Sequence, residues 1–276
     1  MRFETLVSGY GLVEGPTVDD AGNLYFSDVL GGGVYRLDSD DGDVATVVPK
    51  RRGVGGIALH ADGGLVVSGR DLVHVRAGET RLLFRIEGLP GWNDLCTDAS
   101  GRVYAGALRF MVFDPDAEPV PGECWRVDAE GHATRLYGGV VHANGIALSP
   151  AEDHLYHSDT RTGVVHVHDL VDGEAVNPHR FEFDAGAPDG IAIDEAGGVW
   201  VASAGGGCVV RLTPEGDVDR RVEVPARVVT SLCFARPDRR ELYVTTADNT
   251  DDPALRGCVL RTETDIAGAP VHAARV

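Results

Sequence analysis

Residues 14–28 read EGPTVDDAGNLYFSD: an apolar–polar alternation, a cluster of turn formers, then a second alternation. Five other stretches repeat that plan. They are GGIALHADGGLVVSG at 55–69, NDLCTDASGRVYAG at 93–106, NGIALSPAEDHLYHSD at 144–159, DGIAIDEAGGVWVAS at 189–203 and TSLCFARPDRRELYVTT at 230–246. Successive copies start 41, 38, 51, 45 and 41 residues apart. Two period-2 runs joined by turn residues such as Asp20-Ala21-Gly22-Asn23 or Asp98-Ala99-Ser100-Gly101 spell a β-hairpin. Further strand-like runs follow, such as GGGVYRLD at 31–38, GCVVRLT at 207–213 and GCVLRTE at 257–263. About four strands every ~40–45 residues is the period of a propeller blade. Six copies therefore predict an all-β fold, a six-bladed β-propeller with residues 1–276 as one domain. The alternating segment Arg2–Ser8 is expected to close the ring as the outer strand of the sixth blade; the alternative is a disordered leader. In the longest interval, MVFDPDAEPVPGE at 111–123 reads as a loop on one face.

The composition fits. Glycine is 36 of 276 residues, well above a usual share of about 7%, as many tight turns require. A formal net charge of −18 opposes nucleic-acid and anionic-membrane partners and attracts cations. Cys96, Cys124, Cys208, Cys233 and Cys258 are odd in number and widely spaced, and MRFETLVSGYGLVEGP lacks a long apolar core. Reduced thiols and a cytoplasmic location are expected, without a membrane span.

Aligned in register, the six hairpins begin with Glu14, Gly55, Asn93, Asn144, Asp189 and Thr230. The innermost strand of each blade runs along the central channel, so these positions form a ring about its axis. Two carboxylates and two amides drawn together there would be costly to bury unpaired. A divalent cation removes that cost, and all-oxygen donors favour a hard ion such as Ca²⁺, Mg²⁺ or Mn²⁺. Asn and Asp before Gly are also ordinary turn residues, which is the competing reading for Asn93, Asn144 and Asp189 taken singly. Glu14 has no such turn role. The propeller is thus expected to hold a central-channel metal site.

The run Glu14-Gly15-Pro16, Asn93-Asp94, Asn144-Gly145-Ile146-Ala147-Leu148-Ser149-Pro150 and Pro188-Asp189-Gly190-Ile191-Ala192-Ile193-Asp194 resembles the gluconolactonase and regucalcin (senescence marker protein) family. The resemblance spans essentially the whole chain. It implies a six-bladed propeller with one divalent metal held by a Glu, an Asn and an Asp, and, in many members, hydrolysis of sugar lactones. By position the metal ligands would be Glu14, Asn144 and Asp189, with Asn93 close to metal and substrate. Ca²⁺ is the first expectation for the ion; Mg²⁺, Mn²⁺, Zn²⁺ and Fe²⁺ are the others. Members acting on aldonolactones often carry an Arg two residues before the third-blade Asn, where this chain has Gly91 followed by Trp92. That departure predicts a less polar lactone or another ester-like substrate, with Trp92 as an aromatic wall.

The expected chemistry is metal-assisted hydrolysis of a small lactone or ester-like molecule, with Asp189 taking the proton of the attacking water. Trp92, Arg109 and His142 are candidates for the substrate rim beside Asn93. The rival functions are a metal-dependent phosphotriesterase and a non-catalytic metal-binding propeller. No G-x-S-x-G elbow supports a serine hydrolase, and the cysteines lie in or beside apolar strand runs. His154, His157, His166, His168 and His179 cluster in the fourth repeat and read as outer-strand residues facing water, or as a second metal site.

Overall fold

The computed structural model describes residues 1–235, 239–247 and 256–276. Their strands form six four-stranded antiparallel sheets. Five are consecutive in sequence, and their innermost strands are Val13–Val18, Ile57–Leu59, Gly91–Thr97, Ala143–Leu148 and Ala187–Ile193. The sixth combines Val229–Phe234, Glu241–Thr246 and Gly257–Glu263 with Glu4–Tyr10 from the other end of the chain. The expected closing segment is therefore a strand. It pairs Thr5 with Leu260 and Val7 with Val259, so the last blade receives its outer edge from the first residues. A six-bladed β-propeller is the result.

One device recurs at the turn between the first two strands of a blade. The side chains of Asp19 and Asp194 each accept two backbone N–H groups, two and four residues on, and that of Asp98 accepts the N–H of Arg102 four residues on. Each also accepts a side-chain donor six residues on: Tyr25 O–H at 3.2 Å, Tyr104 O–H at 3.1 Å and Trp200 Nε1 at 2.7 Å. The Asp side chain thus satisfies the turn and pins the aromatic ring of the second strand. Those rings sit in the packing between blades; Trp200, fully buried, meets Phe234 of the next blade edge-on at 5.8 Å.

Second-strand side chains such as Phe26, Val67, Ala105, Leu155, Val201 and Val244 are essentially inaccessible and fill the gaps between neighbouring sheets. The C-terminal segment runs across the channel end remote from the six ring positions. Ala269 N donates to Ile193 O, Ala274 N to Leu59 O and Arg275 N to Gly101 O, each at 2.8 Å. The Thr97 hydroxyl donates to His272 O. Behind this cover lies a cavity of about 170 Å³ lined by inner-strand residues of five blades together with Ile57 and Ala58 of the remaining one.

The histidines of the fourth blade differ from expectation. His157 is fully buried and His168 nearly so, whereas His154 is half-buried and His179 exposed. His157 sits on the second strand and His168 on the third, facing Tyr137 of blade 3, whose ring stacks on His168 at 3.8 Å. The Tyr137 hydroxyl is 3.0 Å from His157 Nδ1. Alternation alone places a residue on a face; it does not reveal that this face meets the next blade.

Candidate metal and substrate site at the channel mouth

Every inner strand that carries a polar ring residue breaks its pairing at that point. Glu14 pairs with Ser27 but Thr17 with Tyr25, so three residues on one strand span two on the other. The same extra residue occurs between Trp92 and Leu95, between Ala143 and Ile146, and between Pro188 and Ile191. A β-bulge re-aims a side chain, and these bulges contain Asn93, Asn144 and Asp189. The residue after the ring position is Gly15, Gly56, Gly145, Gly190 or Ser231 in five blades. A Cβ on Gly145 would lie 2.3 Å from Asp189 O, and one on Gly190 would lie 2.2 Å from Ser231 Oγ. Small residues there let adjacent inner strands close up, which brings ring side chains from distant chain segments together.

Hydrogen bonds from blade to blade hold the ring. The carbonyl before four of the six ring residues is the acceptor: Val13 O from the Thr230 hydroxyl (2.5 Å), Val54 O from the Ser27 hydroxyl (2.6 Å) and Ala143 O from Asn93 Nδ2 (2.9 Å). Pro188 O accepts from the Thr160 hydroxyl at 2.8 Å, and Thr160 in turn accepts from Asn144 Nδ2 at 3.1 Å. Thr230 and the amide nitrogen of Asn93 are thus structural ties. Asn144 spends its donor on Thr160, and its Oδ1 has no protein partner among the described residues.

Glu14 and Asp189 are both buried, at 7% and 6% exposure, and both pKa values are raised well above the carboxylate range by burial, with repulsion from Asp189 and Asp94 adding at Glu14 and from Asp94 adding at Asp189. Burial is the larger cause for both, repulsion the second. Only the backbone N–H of Gly15 opposes the rise at Glu14. Asp189 Oδ1 is buried with no hydrogen-bond partner among the described residues. Such an atom is expensive. A cation answers the buried carboxylates, the unpartnered oxygen and the free amide oxygen at once, so these residues fit an oxygen-ligated divalent ion.

Asp94 belongs to the same cluster and was not singled out by the sequence reading. It occupies the register position that is Gly in four blades, and its carboxylate repels both Glu14 and Asp189. Burial pushes its pKa up to about 7, against the N–H groups of Leu95 and Ile146. The signal was present: a charged residue where the repeat otherwise keeps Gly or Ser.

The rim candidates divide. Trp92 is a correction, because it is 1% exposed and packs against Phe84, with ring centroids 5.5 Å apart, in the core between blades 2 and 3. Its side chain alternates away from the channel and forms no aromatic wall. Arg109 is engaged by Glu123 through Nε at 2.9 Å and Nη2 at 2.8 Å. His142 is half-buried near Phe110, and burial, together with the neighbouring Arg161 cation, lowers its pKa.

Elsewhere, the described residues include one exposed acidic group with His, Asp128, Glu130 and His132, whose ligand atoms lie within 4.8 Å of one another. Asp128 Oδ1 there accepts the backbone N–H groups of Glu130 and His132, the ordinary geometry of a turn. All five cysteines are free thiols. No helix among the described residues is long and apolar enough to cross a membrane.

The SMP-30/gluconolactonase/LRE-like region matches residues 12–248. A 6-deoxy-6-sulfogluconolactonase of Pseudomonas putida is 35% identical over 263 residues, covering 89% of this chain and 88% of its own. The pentonolactonase XacC of Haloferax volcanii is 32% identical, with 87% and 83% covered. Among solved structures, a gluconolactonase from Xanthomonas campestris superposes with a TM-score of 0.80 at 26% identity, over 97% of this chain and 89% of that one.

Proposed function

We propose, because the chain belongs to the SMP-30/gluconolactonase/LRE-like family, that it is a lactonase opening a lactone ring at the channel mouth. Two full-length relatives are named as sugar lactonases, which favours this over a phosphotriesterase. The observation that carries the reading is Asp189: a buried carboxylate beside Glu14, with no donor to Oδ1 among the described residues.

Glu14, Asn144 and Asp189 are the residues that would hold one divalent ion, with Ca²⁺ the first choice for an all-oxygen set. Such an ion, when bound, supplies Lewis acidity toward the lactone carbonyl. The chain's own groups do the rest. Asp189 accepts the proton of the water whose oxygen bonds to the carbonyl carbon. The bond from that carbon to the ring oxygen then breaks, and the leaving alkoxide collects the proton, giving a hydroxy acid. Asn93, with its nitrogen fixed on Ala143 O, holds Oδ1 for a substrate hydroxyl without adding charge.

The test is a lactone panel, with phosphotriesters in parallel, assayed on wild type and Asp189→Asn after chelation and after divalent ions are restored. Ion-dependent lactone hydrolysis lost in the variant supports the reading. Equal hydrolysis by variant and wild type, or turnover of phosphotriesters alone, overturns it.

A further inference from the structure

Ala143, the residue before Asn144, is fully buried, and a Cβ on Gly106 of blade 3 would lie 2.9 Å from its side chain. Side chains alternate along an extended segment, so His142 and Asn144 stand on the other side from that packing. The ladder carries on to His142, whose carbonyl accepts the N–H of Thr160 at 3.1 Å. Thr160 is the residue that holds the Asn144 amide. His142 is therefore the next side chain outward from Asn144 on that side of the strand.

Its ring is bounded on two flanks. On one, Phe110 meets it edge-on, with centroids 6.4 Å apart. Phe110 lies two residues beyond Leu108, the partner of Gly91, and so belongs to the mouth end of blade 3. On the other flank is the turn at 159–161, whose Asp159 and Arg161 charges both act on the imidazole. The middle residue of that turn is Thr160. The Asp159 carboxylate accepts the backbone N–H groups of Val141, His142, Arg161 and Thr162. Those bonds fix the His142 backbone.

Neither ring nitrogen of His142 has a hydrogen-bond partner among the described residues, and neither is sealed away from solvent. The same corner has room. A Cβ on Gly91 would meet nothing closer than Gly69 O, 3.5 Å away. The cation beside it, Arg109, is engaged by Glu123. A neutral imidazole offers one donor and one acceptor on a rigid ring, and here the backbone beneath it is held before any ligand arrives.

We infer that His142 is a substrate-binding residue, its ring hydrogen-bonded to a hydroxyl of the lactone in the space beside Gly91. The inference rests on the lactonase reading and adds a residue to it.

The test measures kcat/KM for a hydroxylated lactone and for the unsubstituted lactone of the same ring, on wild type, His142→Phe and His142→Gln. Phe keeps a ring against Phe110 and loses both polar atoms; Gln keeps a donor and an acceptor. His142→Phe should lower the hydroxylated-to-unsubstituted ratio roughly tenfold, mainly through KM, and His142→Gln should restore much of it. Melting temperature in chelator and Mn²⁺ affinity by calorimetry should match wild type in both variants, because the imidazole bonds no described protein group and stands outside the three proposed ligands. A ratio unmoved in His142→Phe, or lowered alike by Phe and Gln, overturns the inference and leaves the lactonase reading standing. A parallel loss of Mn²⁺ affinity also overturns it, since His142 would then be a ligand. Hydrolysis of no lactone by the wild type overturns both.

Discussion

A carboxylate oxygen of Asp189 lies buried, without a donor among the described residues, beside two other acids, buried Glu14 and half-buried Asp94. In the ion-free protein that arrangement costs stability, and an uncharged isostere relieves it. Asp189→Asn should therefore raise the melting temperature in chelator by a few degrees, a gain on the order of 1 kcal/mol. With divalent ion present the order should reverse, the wild type gaining more. Differential scanning calorimetry with and without ion checks both signs. Glu14, Asn144 and Asp189 were legible as one set because the repeat puts them in register. Asp94 was legible only by contrast, as the one charge in a Gly or Ser position. Trp92 misled because its neighbour Asn93 faces the channel and the bulge follows after it, leaving Trp92 on the core side.

At the level of strands, the close approach of inner strands sets the geometry of the mouth. A Cβ on Gly145 would strike backbone atoms of the fifth blade, Asp189 O at 2.3 Å and Ile191 N at 2.5 Å. Backbone cannot swing aside, so Gly145→Ala should cost ~1–3 kcal/mol in urea denaturation and lower lactonase activity by displacing Asp189. The closing strand behaves differently. Deleting Glu4–Tyr10 removes the partner of Gly257–Glu263 and exposes its edge, and an open edge invites aggregation. The shortened chain should melt several degrees lower and show oligomers in size-exclusion chromatography. That closure could be read from the offset of the repeats, which leaves the sixth copy one strand short. The bulges could not, because the extra residue is defined by the pairing with the neighbouring strand, which one strand's sequence does not specify.

Across the whole molecule, packing between blades creates titrating groups that no single repeat encodes. Burial, together with the neighbouring histidines, holds the pKa of His157 down to about 3 and that of His168 to about 4. Both stay neutral in the fold and take up protons when it opens. The stability they support is whole above about pH 6.5, the ordinary histidine value, and drains as pH falls from there toward 4 and 3, where the unfolded chain binds more protons. Urea midpoints measured between pH 7 and 4 should decline, and His157→Gln should flatten the decline. An unchanged slope in the variant would remove His157 from the cause. The number of blades and the order of the ring were readable from period and register. The burial of His157 was not, since it depends on Tyr137 of another blade.

The central claim is that bulged inner strands converge Glu14, Asn144 and Asp189 on a single divalent ion. Its most direct measurement is an anomalous-difference map from crystals grown with Mn²⁺. One dominant peak within coordination reach of those three oxygens is the expected result, absent from crystals of Glu14→Gln. A map with no peak at the channel mouth, or with its principal peak on the exposed turn of Asp128 and His132, would contradict it.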